Sequence, residues 1–381
     1  MDFVGLFDVI TSSIILLFGM MLQSSVGLKL NIKISMSIFL YFWHTLFALV
    51  YIYYVNSNGG DAVDYYLRSL NNLRDFSVGT IAIDWITSFF SSFLGFSFVA
   101  CSLVFNIFGC IGMLILYSSI KPTSLLSSKT MQYLALGIIL LPSLSFWSSA
   151  IGKDSISFLS VCLALWSSID FSRRKYAMFF SILLMLLVRP HIAAILIAAL
   201  SIATLWSHKM PIIKKLWVFV LSLLGASLVI PYALVYVGLT DTITASVIGG
   251  YIEARQGQNL DGGSSVDIAS MILPMKVFTF IFRPLPFEAH NVSALLASID
   301  NVILLLLFTF SFNKIFKSSH DSVNRVFLWV FTLTCLLVLS LTTANLGIAV
   351  RQKWMFLPCL IYLSLSAIYI HSKKQKIIYK S

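Results

Sequence analysis

Residues 96–119 read FSFVACSLVFNIFGCIGMLILYSS, an apolar stretch of 24 residues that contains no charged side chain. A helix of this length rises about 36 Å, which exceeds the ~30 Å hydrocarbon core of a bilayer. Apolar stretches of comparable length recur along the whole chain of 381 residues. Their continuous blocks of Leu, Ile and Phe favour helices over the alternating strands of a membrane barrel. The sequence therefore predicts an all-α polytopic membrane protein.

The composition of the chain agrees with this interpretation. Hydrophobic residues make up 59% of the sequence and charged residues 11%, whereas about a quarter of the residues in a soluble domain are charged. The five cysteines lie in apolar segments without paired spacing, which favours neither a disulfide framework nor a metal cluster. We therefore expect a single integral membrane domain over residues 1–381.

The apolar stretches predict about eleven membrane-spanning helices, each near the length that a bilayer requires. Their approximate bounds are 9–27, 34–55, 96–119, 131–147, 156–170, 176–188, 191–206, 216–238, 292–312, 326–343 and 352–371. The fifth to seventh stretches are short, so we expect their ends to extend into the flanking residues.

Basic residues set the expected orientation, because Lys and Arg concentrate in the cytoplasmic loops of membrane proteins. Seventeen of the 26 basic residues fall on one side of the predicted spans, together with two acidic residues, Asp170 and Asp321. Assigning that side to the cytoplasm places the N-terminus outside and the C-terminus inside. The topology then accounts for the net charge of +11, and nucleic-acid binding loses its support.

Two long loops lie on the outer side in this topology. The first, 56–95, carries Asp61 and Asp64, which would share one face of a helix because they are three residues apart. Its last part, 81–95, mixes apolar with small polar residues and predicts a helix in the membrane interface. The second loop, 239–291, has a glycine-rich polar centre and then a further interfacial segment.

Residues 283–291 read RPLPFEAHN and close the second loop. The prolines of this segment hold the backbone extended and disfavour helix at the residues before them. Arg283, Glu288 and His290 would therefore be presented on a stiff loop at the membrane surface.

A short outer turn precedes the fifth predicted span. Gly152 would end one helix, and Asp154 or Ser155 would cap the next. This structural explanation does not require Lys153, which adds positive charge to a helix N-terminus that already favours anions.

Four cations from four different outer loops are unusual in this topology: Lys153, Arg189, Arg283 and Arg351. Membrane insertion favours keeping Lys and Arg on the cytoplasmic side, so basic residues on the outer side need a reason. One of them alone could be a snorkelling anchor, whereas an anionic ligand at the outer leaflet would explain all four. Arginine forks and lysine charges suit phosphate oxygens, and the pyrophosphate of a lipid lies at that depth.

Carboxylates and histidines accompany these cations on the outer side: Asp61, Asp64, Asp154, Glu288, His191 and His290. Such groups can take a proton from an attacking sugar hydroxyl, which favours glycosyl transfer from a polyprenyl-linked donor. Glu288-x-His290 supplies only two potential metal ligands, and the sequence has no glycine-rich nucleotide-binding loop. We therefore expect the reaction to need no metal, no nucleotide and no cofactor.

Four segments together resemble the bacterial O-antigen and exopolysaccharide polymerases of the Wzy type: GGDAVDYY at 59–66, LPSLSFWSSAIGKDS at 141–155, FRPLPFE at 282–288 and NLGIAVRQ at 345–352. The hydropathy profile is similar to theirs over most of the chain. The resemblance implies a multi-pass, GT-C-like glycosyltransferase of the bacterial inner membrane that acts in lipopolysaccharide biosynthesis. It would transfer a growing glycan from undecaprenyl pyrophosphate to the next lipid-linked repeat unit on the periplasmic face.

The resemblance also implies roles for individual residues. The pyrophosphate would be held by Lys153, Arg189, Arg283 and Arg351, and the catalytic base would be Asp61, Asp64 or Glu288. Further contacts to the substrate would come from Asp154, His191, Arg255 and His290. The expected partners are the undecaprenyl-pyrophosphate-linked oligosaccharide, membrane lipids, a chain-length regulator and a flippase, with no nucleic acid.

Three other functions fit parts of the pattern. A GT-C glycosyltransferase that adds one sugar from a polyprenyl-phosphate donor would use an acidic residue in the first outer loop. A transporter or flippase of lipid-linked oligosaccharides would favour charged residues inside spans, and the predicted spans contain almost none. The third is a ligase that attaches a glycan to lipid A core.

Overall fold

The computed structural model describes residues 5–71, 73–125, 128–206, 211–213, 215–220, 224–225, 227, 249–250, 253–254, 257, 264–268, 270–289, 291–317 and 323–378. These residues are almost entirely helical, and the β pairing among them is one isolated bridge between Ser265 and Asn345. The chain divides into two compact units. Unit 1 contains Met1–Ser119 and Ile139–Arg189, and unit 2 contains Ile120–Ile138 and Pro190–Ser381. The expectation of one membrane domain stays a prediction.

Unit 1 is built from helices that all lie before Pro190. They are α1 (Leu6–Lys29), α2 (Ile34–Asn58), α3 (Asp61–Asn71), α4 (Thr80–Ser88), which continues into a π-helical turn (Phe89–Phe93), α5 (Phe98–Leu125), α7 (Pro142–Ser148), α8 (Lys153–Ile169) and α9 (Phe171–Val188). The last residues of α5 belong to unit 2.

Unit 2 contains most of α6 (Lys129–Ile139) and the described helices that follow Arg189. These are α10 (Pro190–Trp206), α11 (Leu273–Phe282), a 3-10 turn (Pro286–Glu288), α12 (Val292–Lys317), α13 (Val323–Thr342), α14 (Leu346–Gln352), a second 3-10 turn (Lys353–Met355) and α15 (Leu357–Ile378). Helix α13 packs against α10, α11 and α15.

Six helices in the described part of the chain are long and apolar enough to cross a membrane: Leu6–Lys29, Ile34–Asn58, Phe98–Pro122, Lys129–Ser148, Ser293–Ile315 and Asn324–Thr342. The bent pair Leu346–Met355 and Leu357–Ser372 would make a seventh span. These seven coincide with predicted spans, which supports a membrane protein.

The other four predicted spans have different outcomes. Three of them, at 156–170, 176–188 and 191–206, are helices of 17, 18 and 17 residues that begin before the predicted bounds, at Lys153, Phe171 and Pro190, and end at these bounds or one residue short of them. The predicted span at 216–238 lies mostly outside the described residues, as does most of the first part of the long loop, 239–263. The total of about eleven spans and the topology therefore stay predictions.

Small residues on α1 allow a close approach of α2. The buried positions of α1 follow one face at every fourth residue: Thr11, Ile15, Gly19, Gln23 and Gly27. A Cβ atom on Gly19 would overlap the Tyr41 side chain, and one on Gly27 would overlap Ser37. This is the close packing through small residues that membrane helices use. Much of the remaining surface of α1 is exposed and apolar, as expected for contact with lipid.

A buried polar network joins three helices of unit 1. His44 on α2 lies 2.6 Å from Asn106 Oδ1 through Nδ1 and 2.9 Å from Ser148 Oγ through Nε2. The Asn106 side-chain nitrogen donates to Thr45 Oγ1 at 2.9 Å, so its oxygen is the acceptor for the Nδ1 proton of His44. Each bond satisfies a polar group that would otherwise be costly among apolar helices. The sequence pattern does not predict this network, because its members are 62 and 104 residues apart.

We predict that Gly109→Ala strongly destabilises unit 1. A Cβ atom at Gly109 would overlap the Ser148 carbonyl oxygen and lie 2.8 Å from His44 Cε1. Forcing α5 away from α7 should lower the free energy of unfolding by about 1–3 kcal/mol, and strain in the His44–Ser148 hydrogen bond should lower it further. Thermal unfolding in detergent should show this loss of stability. Gly137→Ala is the matched control, because, among the described residues and outside its own helix turn, nothing lies within 4 Å of its added Cβ. Equal melting temperatures for the two variants would contradict the prediction.

Candidate functional site

Helices α8 and α9 form an antiparallel hairpin in unit 1 that is fastened by polar side chains along its length. The Ser160 hydroxyl donates to the Ser181 carbonyl and the Ser181 hydroxyl to the Ser160 carbonyl, both at 2.8 Å. Near the turn at Asp170, Ser167 Oγ donates to the Arg174 carbonyl at 2.8 Å. The residues that begin α8 and follow α9 therefore lie together, about 24 Å along the helix axis from the turn at Asp170. We call this the basic turn, because Arg173, Arg174 and Lys175 follow Asp170.

At that far end, Arg189 and Asp154 form an ion pair. Arg189 Nη2 lies 2.6 Å from Asp154 Oδ1, and Arg189 Nε donates to Ser157 Oγ at 3.2 Å. Their side chains are 8% and 11% exposed, so the pair is largely removed from solvent. Pro190 contributes to this geometry, since it disfavours helix at the preceding residue and Arg189 ends α9 with non-helical backbone angles.

Lys153 belongs to the same end of the hairpin. Its Nζ donates to Thr80 Oγ1 at 3.1 Å, and the Gly79 amide donates to the Leu187 carbonyl at 2.8 Å. The start of α4 is therefore fastened to the hairpin. We call Lys153, Asp154, Ser157 and Arg189 the hairpin-end cluster. It combines two cations, one carboxylate and the N-terminus of α8, an arrangement that can bind an anion.

The expected capping of α8 is wrong. The N-cap residue is Gly152, which has no side chain that could bond to the helix. Asp154 is instead directed to Arg189, and the Ser155 hydroxyl donates back to the Gly152 carbonyl at 3.1 Å. The charge of Arg189 offers Asp154 a stronger partner than a backbone amide does.

Helix α3 carries Asp61 and Asp64 in its first turn, as the spacing predicts, and both residues are exposed. The opposite face of α3 packs into the hydrophobic core that supports the hairpin end. Ala62 and Tyr65 belong to one buried cluster with Ile156 and with other residues that flank Lys153 and Arg189. Unit 1 thus brings the acidic start of α3 and the hairpin-end cluster to one packed region.

A second arginine–carboxylate pair in unit 1 was not among the predicted site residues. Arg68 Nε lies 3.1 Å from Asp84 Oδ2, and Arg68 Nη2 lies 3.2 Å from Asp84 Oδ1. Asp84 is buried while Arg68 is partly exposed, so the fork fixes α3 on α4. The available signal was the single acidic residue within the apolar segment 81–95.

In unit 2, the proline-rich loop closes through Arg283 and Glu288. Arg283 Nε and Nη2 both lie 2.7 Å from Glu288 Oε1, and the Leu285 amide donates to Glu288 Oε2 at 2.8 Å. Arg283 and Leu285 have extended backbone angles, as predicted for residues that precede prolines. Partial burial would raise the pKa of the Glu288 carboxyl, but the hydrogen bonds from Arg283 and Leu285 and the Arg283 charge lower it below its ordinary value.

We predict that the closure of this loop is lost in acid. The folded pKa of Glu288 is depressed, so its contribution is present above the unfolded value of 4.5 and disappears as the pH falls through the folded value. Glu288→Gln should melt at a lower temperature than the native protein at neutral pH, and the difference should shrink as the pH falls below 4.5 and disappear once Glu288 is protonated in the folded protein. The exposed Asp75 provides the control variant Asp75→Asn. A difference that persists unchanged in acid would contradict the prediction.

Lys353 is fully buried beside this loop and was not predicted as a site residue. Its Nζ donates to Asn301 Oδ1 and lies 3.4 Å from the Ile281 carbonyl oxygen. Asn301 Nδ2 in turn donates to the Pro284 carbonyl at 2.9 Å. The buried Asp300 carboxylate lies close enough to interact with Lys353 electrostatically. These contacts fasten the proline-rich loop to α12 and to the turn after α14.

The end of the second long loop pairs with the last outer turn. The Val266 amide donates to the Ala344 carbonyl and the Leu346 amide to the Ser264 carbonyl, both at 2.9 Å. Asn345 caps α14 by accepting from the Gly347 and Ile348 amides. Arg351 follows in the last turn of α14 and is half-buried.

The predicted site residues are distributed over the two units. Unit 1 brings together Lys153, Asp154 and Arg189 and holds the exposed Asp61 and Asp64. Unit 2 brings together Arg283 and Glu288, and it also contains Arg351 and the half-buried His191. Arg255 and His290 lie outside the described residues.

Within the described ranges, no three His, Cys, Asp or Glu residues form a group that could hold a metal ion. The expectation of a metal-independent reaction stays a prediction.

Comparison with protein-family models, with curated proteins and with solved structures found no match to this chain.

Proposed function

We propose that the protein is a polysaccharide polymerase of the Wzy type in the bacterial inner membrane. It transfers a growing glycan from undecaprenyl pyrophosphate to a lipid-linked repeat unit on the periplasmic face. One observation carries the proposal: Lys153 and Arg189 lie at the end of the α8–α9 hairpin opposite the basic turn, and the buried face of α3, whose first turn is acidic, packs into the hydrophobic core that supports this end. Outer cations, which membrane insertion disfavours, thus share one packed unit with groups that can accept a proton.

The reaction is a substitution at the anomeric carbon of the growing glycan, inverting or retaining according to the linkage. A hydroxyl of the incoming repeat unit loses its proton to a carboxylate and forms the new glycosidic bond. The bond between the anomeric carbon and the pyrophosphate breaks, and undecaprenyl pyrophosphate leaves with the electron pair. Cations near the leaving phosphates stabilise the charge that develops there.

The geometry refines the roles implied by the resemblance. Lys153 and Arg189 are proposed to hold the pyrophosphate, and Asp154 orients the Arg189 fork rather than contacting the substrate alone. Arg283 and Arg351 keep the same proposed role in unit 2. Contacts from His191, Arg255 and His290 to the glycan also remain part of the proposal.

Among the candidate bases, the exposed Asp61 and Asp64 fit better than Glu288. Glu288 is already bonded to Arg283 and Leu285, and these bonds lower its pKa. A carboxylate whose pKa is lowered is a weaker base at neutral pH.

Purified protein should be incubated with a synthetic undecaprenyl-pyrophosphate repeat unit, without nucleotide and with a metal chelator, and the glycans resolved by gel. We expect a ladder of lengths. Asp61→Asn and Asp64→Asn should be compared, because the variant that lacks the base should lose elongation while its melting temperature stays near the native value. The absence of a ladder, with the lipid-linked substrate still intact, would contradict the proposal.

A second candidate is a GT-C glycosyltransferase that adds one sugar from a polyprenyl monophosphate donor. The specific observation in its favour is the acidic start of α3, which is followed by α4 and the π-helical turn packed against it. Addition of one sugar from the monophosphate donor, without elongation from the pyrophosphate donor, would support this candidate. Activity with neither donor would favour transport of lipid-linked oligosaccharides.

A further inference from the structure

Helix α13 carries a buried arginine whose guanidinium is not fully satisfied. Arg325 is 8% exposed, and its Nε and Nη2 atoms have no hydrogen-bond partner among the residues that the structure describes. A buried charge without a partner is strongly unfavourable, so an arginine in this position requires a counter-charge. Nothing in the proposed polymerase reaction uses this residue.

Two further donors without partners continue the same face of α13. Trp329 Nε1 and Thr332 Oγ1 are buried and, within the described chain, have no hydrogen-bond partner. Their positions are four and seven residues after Arg325, so the three side chains share one helical face. Along the helix axis, Trp329 lies about 6 Å from Arg325 and Thr332 about 10 Å from it. We call Arg325, Trp329 and Thr332 the α13 donor row.

Helix direction places the guanidinium near the start of α13. Arg325 is in the first turn, and side chains on helices lean towards the N-terminus. The first amides of a helix and its dipole favour an anion at that position. The expected topology assigns this end of α13 to the cytoplasmic leaflet, because Lys314 and Lys317 lie just before it in the sequence.

The hydrogen-bond donors of the α13 donor row indicate which kind of ligand it binds. Arg325 and Trp329 can only donate, and the Thr332 hydroxyl can also donate, so the ligand must present acceptors at successive depths. A glycerophospholipid matches the first two donors, since its ester carbonyls lie one glycerol unit deeper than its phosphodiester, near the level of Trp329; Thr332 is deeper and fully buried. The electrostatic neighbour of Arg325 in the described chain is the Tyr362 phenol, and no described carboxylate offsets its charge. An anionic headgroup therefore fits better than one that carries an ammonium group.

We propose that the α13 donor row binds one anionic glycerophospholipid of the cytoplasmic leaflet. The phosphodiester accepts from Arg325, and an ester carbonyl accepts from Trp329. Basic sites between membrane helices on the cytoplasmic side bind such headgroups. The lipid would supply the counter-charge that this face of α13 needs, so it would act as a structural part of unit 2.

Native mass spectrometry of the full-length, delipidated protein tests the proposal. Phosphatidylglycerol, phosphatidylcholine and inorganic phosphate are the probes. We expect one tightly retained phosphatidylglycerol, and Arg325→Ala should weaken its binding by at least about tenfold, because a charged hydrogen bond is lost. Arg173→Ala is the matched control, because Arg173 is 86% exposed and also lies at a cytoplasmic turn in the expected topology.

A second variant keeps the test valid if Arg325→Ala fails to fold. Trp329→Phe preserves the aromatic packing and removes only the N–H donor, so it should weaken phosphatidylglycerol binding by about two- to tenfold. Equal binding to the native protein and both variants would overturn the proposal. Retention of inorganic phosphate in place of the lipid would also overturn it. So would an Asp321→Asn variant that loses as much stability as Arg325→Ala without lipid, because the counter-charge would then be that carboxylate.

Discussion

Replacement of Arg189 by methionine is expected to lower the stability of unit 1 by about 3–5 kcal/mol, because the buried Asp154 loses its partner. The pair is 8% and 11% exposed and only 2.6 Å apart, so solvent replaces little of the lost interaction. The variant should also lose glycan elongation if Arg189 holds the pyrophosphate. Both effects can be measured on purified protein, by thermal unfolding and by the ladder of glycan lengths.

A double variant separates the two effects. Arg189→Met combined with Asp154→Leu removes both charges and replaces them by apolar side chains of similar size, which is often neutral for stability. We expect the double variant to melt near the native temperature and still to be inactive. Arg173→Ala, at the opposite end of the hairpin, should be stable and active. A double variant that elongates glycan normally would show that the pair has a structural role only.

The second large effect is expected at Lys353. Lys353→Met leaves the side-chain oxygen of Asn301 without its donor and removes the positive charge next to Asp300. We therefore expect the free energy of unfolding to fall by about 3–5 kcal/mol. Because Asn301 also holds the Pro284 carbonyl, the proline-rich loop should loosen at the same time. Thermal unfolding and limited proteolysis of the 283–291 segment would detect the two changes.

Lys276→Met on α11 is the matched control for this variant. Lys276 is half-buried in the same unit, so its loss removes a lysine without leaving Asn301 unpaired. It should change the melting temperature little. If both lysine variants melt alike, Lys353 does not hold unit 2 together in the way that its contacts indicate.

Local features of the structure could be predicted from the sequence. The apolar stretch 96–119 predicted most of α5, and the spacing of Asp61 and Asp64 predicted their shared helix turn. Prolines predicted the extended backbone at Arg283. Each of these depends on the residue itself or on its near neighbours, which is the information that periodicity and backbone preferences contain.

Partners that are distant in sequence could not be predicted. Arg189 and Asp154 are 35 residues apart, and Lys353 and Asn301 are 52 residues apart. An apolar period shows which face of a helix is buried, but it does not show which helix lies opposite. The four outer cations were therefore expected to be available for an anion, whereas Arg189 and Arg283 already bond carboxylates.

The most direct measurement of the proposed function is the amount of undecaprenyl pyrophosphate released for each glycosidic bond formed by the purified protein. The proposal predicts one molecule per bond, with no nucleotide consumed, and no release from the double variant at Arg189 and Asp154. Glycan growth without release of undecaprenyl pyrophosphate, or release of a polyprenyl monophosphate after addition of a single sugar, would contradict it.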